Sequence, residues 1–165
     1  MRKIIVTGPE SCGKTTLCEA LSKHFNIVYS KEYAREYLNE INRNYNQADL
    51  LEIAKKQLQY EQNIRLLDTD LITIKIWSKY KYGSCDQWIL NQIEKQIHKN
   101  RFYLLCKADI AWKADKQREN PNNREEIFNL YRKELSDLGH NYFIIEGKER
   151  EKKAISKISS LISVF

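Results

Sequence analysis

The chain has 165 residues, of which 42% are hydrophobic and 30% are charged, and its formal net charge is +6. This length suits one domain, residues 1–165, with enough chain to bury a core. No window holds about 18 consecutive apolar residues and the first strand begins without a signal-peptide pattern, so we expect a cytoplasmic protein with no membrane contact. The excess charge is mostly lysine spread through helical segments, which is typical of a solvated face, so we expect no nucleic-acid partner.

Apolar runs typical of strands alternate with helical patterns along the chain. The predicted strands are Lys3–Thr7, Ile27–Ser30, Leu66–Asp68, Phe102–Lys107 and Tyr142–Glu146. The predicted helices are Lys14–His24, Gln47–Arg65 with Asn46 as its cap, Leu71–Tyr80, Cys85–His98, Arg124–Leu138 and Glu149–Val164. This alternation predicts an α/β domain with a mainly parallel sheet. The polar stretch Trp112–Asn123, which carries Pro121, is interpreted as an ordered loop or a mobile lid, around residues 112–124.

Residues Gly8 to Thr15 form a complete G-x-x-x-x-G-K-[ST] phosphate-binding loop after an apolar run. Such a loop turns its backbone N–H groups toward phosphate oxygens, while Lys14 reaches the β- and γ-phosphates and the Thr15 hydroxyl is a ligand for Mg²⁺. The helix that follows directs the positive end of its dipole at the same anion. ATP and Mg²⁺ are therefore the expected cofactors. The expected nucleotide-binding residues are Gly8, Glu10, Ser11, Cys12, Gly13, Lys14, Thr15 and Thr16.

Three acidic residues lie at or just after the ends of predicted strands, where ligands of parallel sheets bind. Glu32 is the candidate to orient or deprotonate an acceptor hydroxyl, although it could instead be an N-terminal helix charge. Asp68 and Asp70 compete for the metal role, and Asp70 is a second candidate for catalysis. Asp68 ends an apolar run, and Asp70 lies on the same side of an extended backbone two residues later. Either could instead cap the next helix.

Two arginines flank Pro121 in the predicted lid. Arg118 and Arg124 are candidates to close over the phosphates and to stabilise charge in the transition state. A surface loop can also be basic without a function. The four cysteines show no C-x-x-C spacing, so neither a disulfide framework nor a cysteine metal site is expected.

With these positions together, the chain resembles the ribosylnicotinamide kinase domain of the bifunctional NAD-biosynthesis and regulatory proteins. The resemblance covers essentially the whole chain. It rests on residues 7–16, 32–37, 68–71, 75–78 and 82–83, and on Trp112, Asp115, Arg118, Pro121 and Arg124. It implies a P-loop NTPase of nucleoside-monophosphate-kinase-like, three-layer fold, with a five-stranded parallel sheet in the order 2-3-1-4-5. It also implies transfer of the ATP γ-phosphate to the 5′-hydroxyl of nicotinamide riboside.

The chain departs from this family at Lys31, where some relatives carry an aromatic residue that stacks on the nicotinamide ring. A cation there is a poor substitute, so Tyr33, Tyr60, Trp77 or Tyr80 would have to supply the aromatic face. No nucleotidyltransferase or DNA-binding segment precedes the loop, so those activities are not expected.

Two alternatives remain open at this stage. One is a P-loop kinase that acts on another nucleoside or small alcohol, and the other is a regulatory ATPase. A GTPase is disfavoured because Cys106 stands where the base-reading Asn of the N-K-x-D signature belongs, before Lys107 and Asp109. The expected partners are therefore ATP and a small-molecule acceptor, and the sequence selects no oligomeric state.

Overall fold

Five parallel strands organise the computed structural model, which describes residues 2–97 and 99–162. The strands are β1 (Lys3–Thr7), β2 (Tyr29–Ser30), β3 (Leu66–Asp68), β4 (Arg101–Cys106) and β5 (Asn141–Ile145). They lie in the order β2-β3-β1-β4-β5, and every neighbouring pair is parallel. The predicted α/β class and strand order are confirmed.

Helices cover both faces of this sheet. They are α1 (Lys14–Phe25), α2 (Tyr33–Glu40), α3 (Gln47–Tyr60), α4 (Leu71–Tyr82), α5 (Gln87–Glu94), α6 (Arg124–Asp137) and α7 (Arg150–Ile162). Because side chains alternate along a strand, Ile5 of β1 packs on one face and Val6 on the other. The Ile5 face is buried by helices α2 to α6, and the Val6 face by α1 and α7. The architecture is therefore the three-layer one that was expected.

Local sequence signals set several helix ends. The Asn46 side chain accepts hydrogen bonds from the N–H groups of Ala48 and Asp49, and the Asp49 carboxylate accepts one from Asn46 N in return. This capping box starts α3 at the predicted residue. Gly83, with a φ of 73°, ends α4 in the left-handed conformation that glycine adopts without strain.

The structure differs from the predicted elements mainly in four places, and other boundaries shift by one or two residues. Strand β2 has two residues instead of four, and helix α2 was not among the predicted helices, although a helix after Glu32 was left open. Helix α3 ends at Tyr60 instead of Arg65, and α5 spans only eight residues. His98 and Val164, the predicted ends of two helices, lie outside the described residues. Residues 112–123 contain neither helix nor strand, as predicted. No helix in the described part of the chain has the length and apolar character needed to span a bilayer.

Candidate functional site

The phosphate-binding loop joins β1 to α1 at the carboxyl edge of the sheet. Gly8 has a φ of 138°, and a Cβ there would lie 2.5 Å from the carbonyl oxygen of Cys106, so only glycine fits. Gly13, with a φ of 83°, directly precedes α1. The Lys14 ammonium curls back into the loop and donates to the carbonyls of Gly8 at 3.1 Å and Pro9 at 2.8 Å. The loop therefore presents a cation and a helix N-terminus at one point, which is the form an anion site takes.

Charged neighbours hold Lys14 in its protonated form. Burial opposes its charge, but negative charge on Cys12, Glu32 and Asp68 outweighs burial and raises the pKa of Lys14. Burial also raises the pKa of the Cys12 thiol, yet a hydrogen bond from Cys106 and the charge of Lys14 bring that pKa down to about 7. The loop thus carries a permanent cation, which suits phosphate binding.

Thr15 and Asp68 form the part of the site that fits a metal ion. The Thr15 hydroxyl donates to Asp68 Oδ2 at 2.6 Å, while the buried Asp68 Oδ1 has no hydrogen-bond partner among the described residues. Burial, together with the negative charge of Glu32, raises the pKa of Asp68 to about 6. Oδ1 of this buried carboxylate is therefore open to a cationic ligand. Hydroxyl and carboxylate oxygens are ligands that Mg²⁺ prefers, so these residues fit the expected ion.

Asp70 does not join this group, and its expected metal or catalytic role is corrected here. Its Oδ2 accepts from Arg101 Nη2 at 2.9 Å and from the Tyr103 hydroxyl at 2.8 Å, and its Oδ1 caps α4 by accepting from Ile72 N. Thr69 has a φ of 67°, so the backbone is not extended and the two carboxylates do not share a side. Asp70 is therefore the helix cap that the sequence left open as an alternative.

Glu32 lies at the start of α2 and lines the same cleft as Lys14. Its side chain makes no capping hydrogen bond to the helix, although it occupies the N-cap position. Its side chain is 18% exposed, and Arg35 Nε lies 3.3 Å from Oε2. A partly exposed carboxylate near the phosphate loop and free of the helix backbone can accept a proton from a bound hydroxyl.

The two lid arginines have different surroundings. Arg118 lines the cleft; its Nη1 donates to the Lys113 carbonyl, and its buried Nε has no partner in the described ranges. Arg124 begins α6 and donates to the carbonyls of Ser11 at 3.2 Å and Ile110 at 3.0 Å. Arg118 therefore has a donor available for phosphate, whereas Arg124 braces the phosphate loop.

Two residues expected to bind nucleotide use their side chains elsewhere. The Glu10 carboxylate accepts backbone N–H groups of the lid, and Ser11 Oγ accepts from Lys113 N at 2.9 Å. Only their backbone remains available for phosphate. Thr16 is exposed and lines a separate hollow with Ile110.

The aromatic lining of the cleft comes from α4 and α6. Trp77 and Tyr80 line it, whereas Tyr33 and Tyr60 are not part of the lining formed by the described residues and pack edge-to-face on each other, with ring centroids 5.2 Å apart. Sequence reasoning missed Tyr131, which is 3% exposed and lines the cleft. Its spacing of four from Ile127, another lining residue, was the available signal, but this spacing marks any buried helix face.

Comparisons with known proteins bear on the family and the fold of this chain. A family profile described as "AAA domain" matches residues 3–152. The chain is 24% identical over 166 residues to the trifunctional NAD biosynthesis/regulator protein NadR of Escherichia coli K12, covering 93% of this chain and 40% of that protein. The chain thus spans less than half the length of this curated relative.

Solved structures share the fold. A crystal structure of NadR protein in complex with NR superposes with a TM-score of 0.70 at 20% identity, covering 96% of this chain and 50% of the other. A deoxyadenosine kinase from M. mycoides superposes with a TM-score of 0.64 at 13% identity, covering 96% and 99%. Both structures have the layered P-loop fold seen here.

Proposed function

Because the chain belongs to the AAA domain family and has the fold of P-loop nucleotide kinases, we propose that it is an ATP-dependent kinase for nicotinamide riboside. The product would be nicotinamide mononucleotide. One observation carries this proposal: a single cleft brings together Lys14, the Glu32 carboxylate and the rings of Trp77 and Tyr80. The likeness to NadR, one structure of which is described as a complex with NR, supports the choice of acceptor.

The residues of the cleft divide the chemistry of phosphoryl transfer among them. The acceptor 5′-oxygen attacks the γ-phosphorus, the bond from that phosphorus to the β–γ bridging oxygen breaks, and ADP leaves. Glu32 orients the hydroxyl and receives its proton. Lys14 and Arg118 hold the phosphates and offset the charge of the transferring group. Thr15 and Asp68 would hold Mg²⁺, which neutralises phosphate charge when bound.

The acceptor ring is assigned to the aromatic wall. A cationic pyridinium over an aromatic face gains about 0.5 to 2 kcal/mol, a preference of severalfold to about thirtyfold over an uncharged ring. Trp77 Nε1 donates to the Tyr45 hydroxyl at 2.8 Å, which fixes the orientation of the indole. Lys31 is exposed and is not among the residues that line the cleft, whereas Trp77 and Tyr80 are. These two rings are therefore the candidates to stack on the nicotinamide ring.

A kinase for a different nucleoside or nucleotide is the second candidate. Arg35 and Arg118 line the cleft, and two cations suit an acceptor that carries its own phosphate better than a cationic riboside. The likeness to deoxyadenosine kinase over nearly the whole of both chains also supports this candidate.

A panel of acceptors offered with Mg²⁺-ATP separates the two candidates. We expect nicotinamide riboside to be phosphorylated with a higher kcat/KM than uridine, cytidine, adenosine or their monophosphates. ADP release without acceptor should be slow. A clear preference for another acceptor would establish the second candidate, and equally fast hydrolysis without acceptor would indicate a regulatory ATPase.

Substitution of Glu32 tests its role in the same assay. Glu32→Gln should lower kcat by about a hundredfold or more, because a neutral amide cannot accept the proton, while Mg²⁺-ATP binding stays nearly unchanged. Glu36→Gln, an exposed position on the same helix, is the matched control and should keep parental turnover. Parental turnover in Glu32→Gln would show that Glu32 is not the base.

A further inference from the structure

Residues Glu119 and Asn120 of the lid are held from the side of the phosphate loop by Glu10. Glu10 Oε2 accepts from Glu119 N at 3.0 Å and from Asn120 N at 2.9 Å. Hydrogen bonds to an ionised carboxylate are stronger than those between neutral groups. One loop side chain therefore fixes the backbone immediately after Arg118.

The same lid residues are held from the acceptor side by α4 and the segment before α3. The Glu119 carboxylate accepts from the Tyr45 hydroxyl at 2.7 Å and from Lys81 Nζ at 2.9 Å. The Tyr45 hydroxyl in turn accepts from Trp77 Nε1, and Trp77 lines the cleft. A continuous hydrogen-bonded path therefore joins the acceptor wall to the lid.

The lid contacts both the phosphate loop and α4 in this conformation, which is called closed. Gln117, Arg118 and Asn120 of the lid line the same cleft as Lys14 and Glu32. The contacts at residues 119–120 therefore hold this wall of the cleft in place.

We propose that Glu10 and Tyr45 are positioning residues that seat the closed lid over the two bound substrates, Glu10 from the nucleotide side and Tyr45 from the acceptor side. Their shared effect is to place Arg118 against the phosphates. The inference rests on the proposed kinase function for its turnover measurement, but seating of the lid can be measured without turnover.

The charge of the Glu10 carboxylate links lid closure to nucleotide binding. A carboxylate beside a triphosphate is repelled by it, and the repulsion is larger in a cleft that excludes water. The N–H groups of Glu119 and Asn120 offset this negative charge only when the lid is closed. Nucleotide binding and lid closure therefore favour each other, and removal of the carboxylate breaks this link.

Three variants and one control test the proposal. Glu10→Ala removes the carboxylate, whereas Glu10→Gln keeps one acceptor oxygen and serves as the conservative rescue. Tyr45→Phe keeps the ring, which packs on Trp77 and lies under Lys81, and removes only the hydroxyl. Glu52→Ala is the control, because Glu52 is exposed and its ion pair is with Lys55 on its own helix.

Trypsin cleavage after Lys113, Lys116 or Arg118, followed by mass spectrometry, reports opening of the lid. In the parent, Mg²⁺ with a non-hydrolysable ATP analogue should slow cleavage. In Glu10→Ala this protection should be lost, and in Tyr45→Phe the further protection given by the acceptor should be lost. Melting temperatures should match the control. Glu10→Ala should lower kcat by about ten- to a hundredfold with a smaller change in the KM for ATP, and Glu10→Gln should recover most of it.

Parental lid protection in both Glu10→Ala and Tyr45→Phe would overturn the proposal, whatever their turnover. If Glu10→Ala does not fold, Glu10→Gln and Tyr45→Phe decide, because partial loss of protection in these variants supports the proposal and full protection overturns it. If nicotinamide riboside is not phosphorylated, the proposed acceptor fails. The protection given by the ATP analogue alone still tests Glu10, so the two failures are distinguishable.

Discussion

Two carboxylates at the end of β3 lie two residues apart, are both buried, and have opposite surroundings. Asp70 fills its oxygens with Arg101, Tyr103 and a helix N–H, in a network that continues to Glu61 through Arg101. Asp68 has one hydroxyl donor and one vacant oxygen within the described residues. A buried acid whose oxygens are all bonded stabilises the fold, whereas one with an unfilled oxygen is suited to hold a ligand.

The largest effect should come from removing Arg101, the cation of the Asp70 network. Arg101→Met leaves Asp70 buried without its cation and leaves Glu61 paired with Lys3, so the free energy of unfolding should fall by about 3 to 5 kcal/mol. Urea unfolding measures this loss, and turnover of the folded fraction should stay near that of the parent.

The control for Arg101→Met is an exposed ion pair. Lys133→Met removes a cation that pairs with Asp137 on the surface of α6, and its cost should stay below about 0.5 kcal/mol. Equal losses of stability in Arg101→Met and Lys133→Met would mean that burial does not make the Arg101 ion pairs more important than an exposed pair.

The next effect should come from Asp68. Asp68→Asn should lower activity by about ten- to a hundredfold and raise the Mg²⁺ concentration needed for half-maximal activity, because a neutral amide holds a cation weakly. Asp70→Asn is the matched variant and should lower stability while sparing activity. The reverse outcome, with activity lost in Asp70→Asn and kept in Asp68→Asn, would exchange the two roles.

The sequence predicted what local patterns determine. The phosphate loop, the Asn46 cap and the five strands each depend on residues close together in the chain. The direction of the Asp70 side chain depends instead on the backbone at Thr69. A left-handed φ is rare for a β-branched residue, and no sequence pattern predicts it. An extended backbone was the reasonable expectation, and it was wrong.

Other features could not be predicted because they depend on tertiary packing or on weak local signals. Helix α2 has eight residues and begins after Glu32, which is not a usual capping residue, so its short pattern left a helix there only as an alternative. Trp77 and Tyr80 were named among four aromatic candidates, and only the packing of α4 beside the phosphate loop selects them. The side chain of Glu10 could not be assigned to the lid because the two are more than a hundred residues apart.

The smallest expected effect is a pH dependence of stability that comes from Asp68. The pKa of Asp68 is raised to about 6 from an ordinary value of 3.8, so between pH 4 and 6 the folded protein binds a proton that the unfolded chain has released. The contribution of Asp68 to stability must therefore fall as pH rises through this window, by roughly 1 to 3 kcal/mol. Unfolding of the parent and of Asp68→Asn, in EDTA without nucleotide, should give a stability difference that shifts in favour of the variant from pH 4 to 6. A flat difference for Asp68→Asn would show that this carboxylate is ionised at low cost.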